Sequence, residues 1–509
     1  MGCECLRDYM QVYLKLDVFL LADVFERFRV KSMEEDGLEP LAFFGIPGMS
    51  WSSAIKMLKH DVELIQDDEM YTFFEGGIRG GMTFINRHHT QTSLTKALLY
   101  IDINSLYGWA LSQKLPYANF KWVTEVEEIE AIVQLIRDDN LDGDLGYTLE
   151  VDIHVPNELH DKLDDLPVAP EQGFPPDSKV QKLLLTHRDK LNYVVHGKLL
   201  SYWVSLGAEI IKIHRVVQYQ QATIFAEYVD HNTRMRAAAT NSFDKEFYKL
   251  KNNSLHGKTV ENLKKRINLR ICNNDERRFV TYASSPFFKR TMKIADDLIA
   301  VLLNKEEIIL DRPSYIGQTV LDLSKLRMYK LQYQDLERYR QDLNCKIKII
   351  AGDTDSFFLQ CKNVDLNQLL EKMKDDGLLD TSNYPSNHSL FSRQVENKLG
   401  LFKDEAKGQL FEEWIFLRPK CYSLKYLNQV EVCESKGVNL KGTEVKRDSY
   451  RTIYKENTQM TVPQTRFITR NHQLYTEKST KIALRCLDDK RLWTAKNRSL
   501  AYGHRSIGA

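Results

Sequence analysis

The most constraining feature of the sequence is a short acidic segment between two apolar runs. Residues 347–351 are largely apolar, the segment GDTDS follows at 352–356, and residues 357–359 are apolar again. This pattern predicts a β-hairpin with Asp353 and Asp355 in its tight turn. Two carboxylates at the end of buried strands repel each other unless a cation or hydrogen bonds offset their charge. An ordinary Asx-type turn is the alternative interpretation of the same residues.

A second acidic residue stands at the end of another apolar run. Residues 97–103 (ALLYIDI) predict a buried strand, and Asp102 lies near its end. A cap or turn is the alternative when Asp102 is considered alone. Together with the hairpin it predicts three carboxylates that converge on divalent metal ions. Oxygen donors without clustered His or Cys favour magnesium over zinc, and two such ions can clamp the attacking and leaving oxygens of a phosphoryl group.

A basic segment supplies further candidate residues. Residues 219–256 are predicted to be mainly helical, which places Lys245 and Lys249 one turn apart on one helical face. Their ammonium groups can bind a triphosphate as point charges. Gly257 would allow a base pair to approach the backbone closely. A solvated basic helix end is the alternative.

The formal net charge of +1 hides an uneven distribution. Residues 121–180 contain 4 basic and 16 acidic residues, which gives −12. Residues 245–293 contain 13 basic and 4 acidic residues, and residues 440–509 contain 15 and 6, so each of these two segments has +9. Such basic blocks are typical of proteins that bind a phosphate backbone. Solvated charged helix faces are the alternative.

Length and composition limit the class of protein. The 509 residues predict about three to four domains, and 43% hydrophobic residues exclude a disordered chain. Eight cysteines without a CxxC pair predict reduced thiols. No apolar run of about 18 residues and no signal-peptide pattern is present. We therefore expect an intracellular protein without membrane contact, in either the nucleus or the cytoplasm.

Four segments, in chain order, resemble motifs of the protein-primed family B DNA polymerases, the viral, linear-plasmid and Polinton/Maverick-type branch. Residues 102–107 resemble motif A (DxxSLYP), 249–257 motif B (KxxxNSxYG), 353–356 motif C (DTDS) and 420–422 the KxY motif. A lone DTD is a weak signal, whereas four motifs in the family's order are a strong one. Two further segments fit the family, namely residues 78–81 at the position of a YxGG loop and residues 13–17 as the third exonuclease motif (YxxxD).

The resemblance implies an α+β right-hand polymerase with an antiparallel palm sheet, helical fingers, a thumb and a remnant of an exonuclease domain. It implies a role for each matched residue. Asp102 and Asp355, with the Ile103 carbonyl, would hold two Mg²⁺ ions beside Asp353. The nucleotide would be bound by Tyr107 under its sugar, by Arg236, Lys245 and Lys249 at its triphosphate, and by Asn253, Ser254 and Gly257 around the base pair. The DNA would be contacted by Arg79, Gly80 and Gly81 at the template and by Lys420 and Tyr422 at the primer terminus.

The sequence departs from the family pattern at several positions. Gly108 replaces the proline of motif A, His256 the tyrosine of motif B, and Ile78 the tyrosine of YxGG. The first two exonuclease motifs have no counterpart before Tyr13 and Asp17. We therefore expect an N-terminally truncated chain without proofreading, in which the helix predicted over residues 8–29 is a domain remnant.

The resemblance also divides the chain. The expected parts are an exonuclease remnant and linker (1–70), a template-contact loop and palm with motif A (71–120), a terminal-protein-region-like insertion (121–218), fingers (219–262), a second insertion (263–340), palm with motif C and KxY (341–435) and a thumb (436–509). The last 70 residues are predicted to alternate short helices and strands.

The function implied is DNA-templated DNA synthesis. The enzyme would add deoxynucleotides to a primer 3′-hydroxyl with two metal ions, in the replication of a viral or mobile element. Its partners would be template-primer DNA, deoxynucleoside triphosphates and a priming protein. The alternative is an inactive mobile-element relic that only binds DNA. A metal-dependent nuclease is a third hypothesis, which rests on Tyr13 and Asp17 alone.

Overall fold

The structure is a computed structural model that describes residues 2–176, 178–273, 277–470 and 473–507. The helices are α1 (Leu6–Asp36), α2 (Ile46–Lys56), α3 (Asp68–Gly76), α4 (Leu106–Leu111), α5 (Val126–Arg137), α6 (His160–Leu163), α7 (Gly197–Ser205), α8 (Ala226–Ala238), α9 (Ser242–Thr259), α10 (Arg277–Ala283), α11 (Ser314–Lys330), α12 (Leu336–Asp342), α13 (Leu366–Asp375) and α14 (Arg447–Glu456). The strands are β1 (Thr83–Ile85), β2 (His89–Gln91), β3 (Lys96–Ile103), β4 (Leu115–Val123), β5 (Leu145–His154), β6 (Glu171–Gly173), β7 (Lys182–Leu184), β8 (Lys190–His196), β9 (Glu209–Ala222), β10 (Ile267–Asn273), β11 (Phe288–Lys293), β12 (Leu298–Asn304), β13 (Lys346–Asp353), β14 (Ser356–Lys362), β15 (Phe402–Asp404), β16 (Phe411–Arg418), β17 (Cys421–Tyr426), β18 (Glu431–Ser435), β19 (Gln459–Arg470), β20 (Gln473–Arg485), β21 (Leu492–Ala495) and β22 (Arg498–Leu500).

The central element is a five-stranded antiparallel sheet with the order β1-β13-β14-β3-β15. The predicted hairpin is confirmed as β13 and β14, and the predicted strand at 97–103 is confirmed as β3. Ser356 of β14 pairs in register with Asp102 of β3. The sheet therefore brings two acidic segments, some 250 residues apart in the chain, to one edge.

Each face of this sheet is covered because its strands are apolar on both sides. Leu99 and Ile101 point into the main core, which also contains residues of α11. Their neighbour Leu98 points the other way and joins Phe358 and Trp414 in a second core. The four-stranded sheet β18-β17-β16-β2 supplies this second layer. The acidic edge is thus held between two packed layers.

The connecting segments form smaller units around the palm-like sheet. A four-stranded sheet with the order β4-β9-β5-β8 lies in the region of the first predicted insertion, and β10-β12-β11 lies in that of the second. Helices α8 and α9 confirm most of the helical region predicted at 219–256, whereas the prediction is wrong for residues 219–222, which belong to β9. Both helices pack on the N-terminal helices through residues such as Phe28, Met49 and Phe247.

The C-terminal segment is more regular than predicted over residues 459–485. The expectation of short alternating elements is wrong for residues 459–485, because β19 and β20 form one long hairpin of 12 and 13 residues. Frequent β-branched residues favour such extended pairing. After this hairpin the chain returns to the first insertion, where Arg491 binds Asp164 and Tyr502 bridges Thr186.

Helix α1 is confirmed and is longer than predicted. Its C-terminal end packs against α9, where the Phe28 and Phe247 rings lie 5.5 Å apart. Several apolar side chains of its N-terminal half, including Leu14 and Phe19, are exposed. Within the described ranges no helix is both long and apolar enough to cross a membrane.

Candidate active site

The acidic edge of the central sheet brings the predicted carboxylates together. Asp102 is the penultimate residue of β3, Asp353 is the last residue of β13, and Asp355 lies in the turn that follows. The backbone N–H of Ile103 donates to the carbonyl of Asp355 at 2.9 Å, so the two acidic segments are joined directly. Thr354 has a φ of 63°, which is uncommon for a β-branched residue and shows how tightly this turn is folded.

The two facing carboxylates are electrostatically destabilised. Burial and, after it, the charge of Asp355 raise the pKa of Asp102 to about 8. Burial and the nearby Asp353 also raise the pKa of Asp355. Both effects penalise the ionised form. Positive charge beside these oxygens would therefore be strongly favoured.

The carboxylates face the helical pair across a cavity of about 430 Å³. Asp102 and Asp355 lie on the sheet side, whereas Arg236 of α8 and Lys249 and Asn253 of α9 lie on the helix side. Predicted residues from three distant parts of the chain therefore line one space.

Sequence reasoning missed several polar residues of the cavity lining, among them Asn397, Lys403 and Glu405 from the segment around β15. Lys403 pairs in register with Asp102 because β15 lies beside β3. Burial lowers the pKa of Lys403. The sequence holds a weak signal for them, since residues 404–405 are again acids after a short apolar run.

Charge is segregated within this cavity. Among the described residues its lining holds the carboxylates of Asp102, Asp355 and Glu405 and the cationic groups of Arg236, Lys249 and Lys403. Arg236 and Lys249 belong to the helices, whereas Lys403 and all three acids belong to the sheet side. Such an arrangement suits a ligand that carries a metal cation at one end and a polyphosphate at the other.

Tyr107 lies in the wall of the same cavity. Its ring stacks on the His256 ring of α9 with centroids 4.5 Å apart, and burial raises its pKa to about 12. Burial lowers the pKa of His256 to about 4, which keeps this imidazole neutral. The stack forms a flat, uncharged surface beside the carboxylates.

The Lys-x-Tyr segment contacts the acidic turn directly. Lys420 has a φ of 61° in the turn between β16 and β17, and its Nζ lies 2.6 Å from Oδ1 of Asp353. The ring of Tyr422 packs 5.6 Å from Phe358. Lys420 thus neutralises the outer acid, whereas Asp102 and Asp355 face the cavity.

The glycine-rich segment at 78–81 has a role that differs from the predicted one. The Arg79 guanidinium lies 3.6 Å from the centre of the Tyr193 ring and donates to the carbonyl of Val194 at 2.7 Å. With only 9% of it exposed, Arg79 is an interior residue. The predicted contact of its side chain with template is therefore corrected, because the guanidinium is already bound inside the protein. Gly80 has a φ of 37°.

Gly81 packs against the acidic turn. A Cβ built on Gly81 would lie 2.5 Å from Cγ2 of Thr354. The N–H of Thr354 donates to the carbonyl of Met82 at 2.7 Å. The glycine thus permits the close approach of the two segments.

The remaining predicted residues lie around the cavity or away from it. Lys245 is exposed and Ser254 is buried, and neither lines the cavity. Gly257 is exposed on α9. Tyr13 and Asp17 are exposed on α1. No cluster of three His, Cys, Asp or Glu side chains able to hold a metal ion is found in the described part of the chain.

The donor chemistry of the cavity nevertheless fits magnesium bound together with a substrate. Mg²⁺ in nucleotide-processing sites is usually held by one or two carboxylates plus substrate phosphates and water, and not by a complete protein cage. Asp102 and Asp355 supply such carboxylates, and burial together with neighbouring carboxylates raises the pKa of both, which favours added positive charge beside them. Ile103 also lines the cavity.

Comparisons with known proteins agree with this geometry. The model of the family "DNA polymerase type B, organellar and viral" matches residues 5–334, more than half of the 509 residues. None of the curated protein sequences compared with the chain matches it.

Solved structures of Phi29 DNA polymerase show the same fold. The ternary complex with primer-template DNA and incoming nucleotide substrates has a TM-score of 0.55 at 13% identity over 87% of this chain and 68% of that one. The binary complex with primer-template DNA has a TM-score of 0.52 at 13% identity over 89% and 70%. The complex with single-stranded DNA has 0.52 at 14% over 89% and 69%. The mixed α+β fold predicted from the motifs is thereby confirmed. The chain belongs to the type B DNA polymerases of the organellar and viral family, which are DNA-directed DNA polymerases.

Proposed function

We propose that this chain extends a primer by nucleotidyl transfer at the cavity between the central sheet and helices α8 and α9. The observation that carries the proposal is the segregation of charge across that cavity, with Asp102 and Asp355 opposite Arg236 and Lys249. The substrates would be template-primer DNA and deoxynucleoside triphosphates. The reaction joins the primer 3′-oxygen to the α-phosphorus and releases pyrophosphate.

Each wall of the cavity has a task in this reaction. Lys249 and Arg236 would bind the triphosphate and stabilise the charge that develops on the leaving pyrophosphate. Lys245, exposed one turn before Lys249, would add to this field. The stacked Tyr107 and His256 rings would support the sugar and the new base pair and exclude a 2′-hydroxyl. Orienting the two substrates accounts for much of the barrier reduction in such a reaction.

Two magnesium ions would be held by Asp102 and Asp355 with the Ile103 carbonyl and would supply charge neutralisation at the reacting oxygens. The protein carboxylates do not act as nucleophiles in this proposal. Lys420 keeps Asp353 paired and would lie near the primer terminus with Tyr422. Asn253, Ser254 and Gly257 would border the nascent base pair. Gly80 and Gly81 would let the template pass close to the backbone.

We further propose that synthesis begins on the hydroxyl of a priming protein and serves a viral or mobile element. Support comes from the order of the four motifs and from the insertion between motifs A and B, which contains the sheet β4-β9-β5-β8. An exposed acidic helix in this insertion, α5, offers carboxylates to a basic partner.

The central test is replacement of Asp355. Purified protein with magnesium, primed template and deoxynucleotides should extend the primer. Asp355→Ala and the isosteric Asp355→Asn should each lower incorporation by on the order of 10³-fold, because the charge that balances the reacting centre is lost. Glu371→Gln is the matched control, since Glu371 is an exposed carboxylate on α13 outside the cavity.

DNA binding separates this proposal from the inactive-relic alternative. Wild type and Asp355→Asn should bind primer-template equally in a gel-shift assay, and only the wild type should extend the primer. Equal extension by both proteins, or binding without extension by the wild type, contradicts the assignment of catalysis to this cavity.

A further inference from the structure

A buried ion pair lies on the back of the helix that carries Lys249. The Nζ of Lys251 lies 2.9 Å from both carboxylate oxygens of Asp36, the last residue of α1. The two side chains are 1% and 6% exposed. The hydroxyl of Ser53 in α2 donates to Oδ1 of Asp36 at 2.7 Å. The pair therefore connects α9 to both N-terminal helices.

Lys251 and Lys249 point in nearly opposite directions. Two positions along an α-helix correspond to a rotation of about 200°. Lys249 lines the cavity, whereas Lys251 is enclosed between α9, α1 and α8, with its Nζ 5.8 Å from the centre of the Tyr228 ring. The pair thus holds α9 from the side opposite to the cavity.

Other polar contacts join the same two helices. The hydroxyl of Tyr248 donates to Oε1 of Glu35 at 2.5 Å. Nearer the start of α9, Nζ of Lys31 lies 2.7 Å from Oδ1 of Asp244. The last two turns of α1 therefore run along the back of α9. Among these contacts the Asp36–Lys251 pair is the most deeply buried, and Lys251 lies midway in sequence between the cavity residues Lys249 and Asn253.

A buried pair of this kind contributes little net stability. The desolvation of both charges offsets most of their attraction, and neutral replacements of the whole pair are often tolerated. Removing one partner is costly because it leaves the other charge buried and unpaired. What the pair does supply is geometry, since the contact of Nζ with both carboxylate oxygens at 2.9 Å favours one rotation and one axial position of α9.

We propose that Asp36 and Lys251 are positioning residues for nucleotide binding. By fixing the rotation of α9 they hold Lys249 and Asn253 toward the carboxylates of the central sheet. The inference rests on the proposed function, because it assigns the pair to the triphosphate side of the same site. Neither residue touches the substrate.

The test uses a variant in which both charges are removed. Asp36→Asn/Lys251→Met retains an acceptor for Ser53 and leaves no unpaired charge, so its urea-unfolding midpoint should stay near that of the wild type. Its KM for deoxynucleotides should rise about tenfold, with kcat changed less than about threefold, because α9 is no longer fixed. Its affinity for primer-template should not change. Lys251→Arg, which keeps the pair, should recover most of the affinity for nucleotide.

A matched control removes a buried pair elsewhere. Lys190 and Glu171 lie 3.0 Å apart in the first insertion, and Glu171→Gln/Lys190→Met should leave the KM for deoxynucleotides unchanged. A wild-type KM in Asp36→Asn/Lys251→Met at wild-type stability would overturn the inference. So would a rise in KM that is accompanied by parallel losses of kcat, DNA affinity and stability, because that pattern indicates a purely structural role.

A second readout separates this inference from the proposed catalysis. Equilibrium binding of a deoxynucleotide to the complex with a dideoxy-terminated primer requires no reaction, and the double variant should bind about tenfold more weakly there too. Nucleotide binding without incorporation by the wild type would contradict the proposed catalysis alone. Equal nucleotide affinity of wild type and double variant would contradict the positioning role alone.

Discussion

Neither the backbone conformation nor the packing of α9 requires a glycine at position 257. Its backbone is helical, and a Cβ added there would have no described atom within 4 Å. A glycine inside a helix is less favourable than alanine by roughly 0.5–1 kcal/mol. A residue that weakens its helix and relieves no contact is best explained by a ligand that approaches the bare backbone.

Replacing this glycine should therefore separate stability from activity. Gly257→Ala should raise the free energy of unfolding by about 0.5–1 kcal/mol and lower the efficiency of nucleotide incorporation. Urea unfolding and single-nucleotide primer extension measure the two effects. Gly76→Ala is the control, because Gly76 is likewise a helical glycine, at the end of α3, with open space around it. Unchanged incorporation in Gly257→Ala would contradict a substrate contact at this position.

At the scale of elements, the turn between β13 and β14 depends on a neighbour that local sequence does not reveal. Thr354 takes up a left-handed backbone conformation with a φ of 63°, between the two acids of the turn. Gly81 supports it at close range, and Met82 accepts its N–H. The glycine segment therefore positions the carboxylates through Thr354, in addition to any contact with template.

The close contact between Gly81 and Thr354 predicts that a loss of activity caused by a larger residue at position 81 can be reversed by a smaller residue at position 354. Gly81→Ala would place a Cβ 2.5 Å from Cγ2 of Thr354, so the turn must shift and kcat should fall about 10- to 100-fold. Thr354→Gly removes both the clash and the unfavourable φ, so Gly81→Ala/Thr354→Gly should recover activity in a steady-state extension assay. A double variant as impaired as Gly81→Ala would show that the defect arises elsewhere, for example at the template.

At the scale of the whole molecule, the C-terminal segment packs against the sheet layers around a buried histidine. His88 lies just before β2, and its ring stacks on Trp493 with centroids 3.7 Å apart. Its Nδ1 lies 2.7 Å from the carbonyl of Phe416 and can donate a hydrogen bond to it. Burial lowers the pKa of His88 from 6.5 to about 4. The junction of the sheet layers with the C-terminal segment is thus built around a neutral imidazole.

The free energy of unfolding depends on pH because His88 binds a proton more readily in the unfolded chain than in the folded one. The unfolded chain takes up a proton on His88 near pH 6.5, whereas the folded chain does so only near pH 4. The stability that depends on the neutral ring is complete above pH 6.5 and is lost as the pH falls toward 4. Between pH 7 and pH 5 the loss is about 2 kcal/mol.

A pH series of unfolding experiments checks this contribution. The difference in free energy of unfolding between wild type and His88→Gln should shrink by about 2 kcal/mol from pH 7 to pH 5, since the variant has no imidazole to protonate. A constant difference for His88→Gln would contradict the neutral, buried state.

Local patterns in the sequence predicted the chemistry of this protein. Apolar runs that end in acids predicted β3, β13 and β14 with Asp102, Asp353 and Asp355, and helical periodicity predicted α1, α8 and α9. These signals are local, because burial alternates along a strand and recurs along a helix within a few residues. The four motifs in order then indicated the family.

Only the tertiary structure decided which distant residues meet. The pairing of β15 with β3 brings Lys403 and Glu405 to the cavity. Arg79 is buried against the Tyr193 ring. Asp36 forms an ion pair with Lys251, which lies 215 positions away in the sequence. Such contacts depend on how layers pack, and no periodicity within one segment encodes them. The sequence by itself therefore determined which groups can do the chemistry, and long-range packing determined which groups hold them in place.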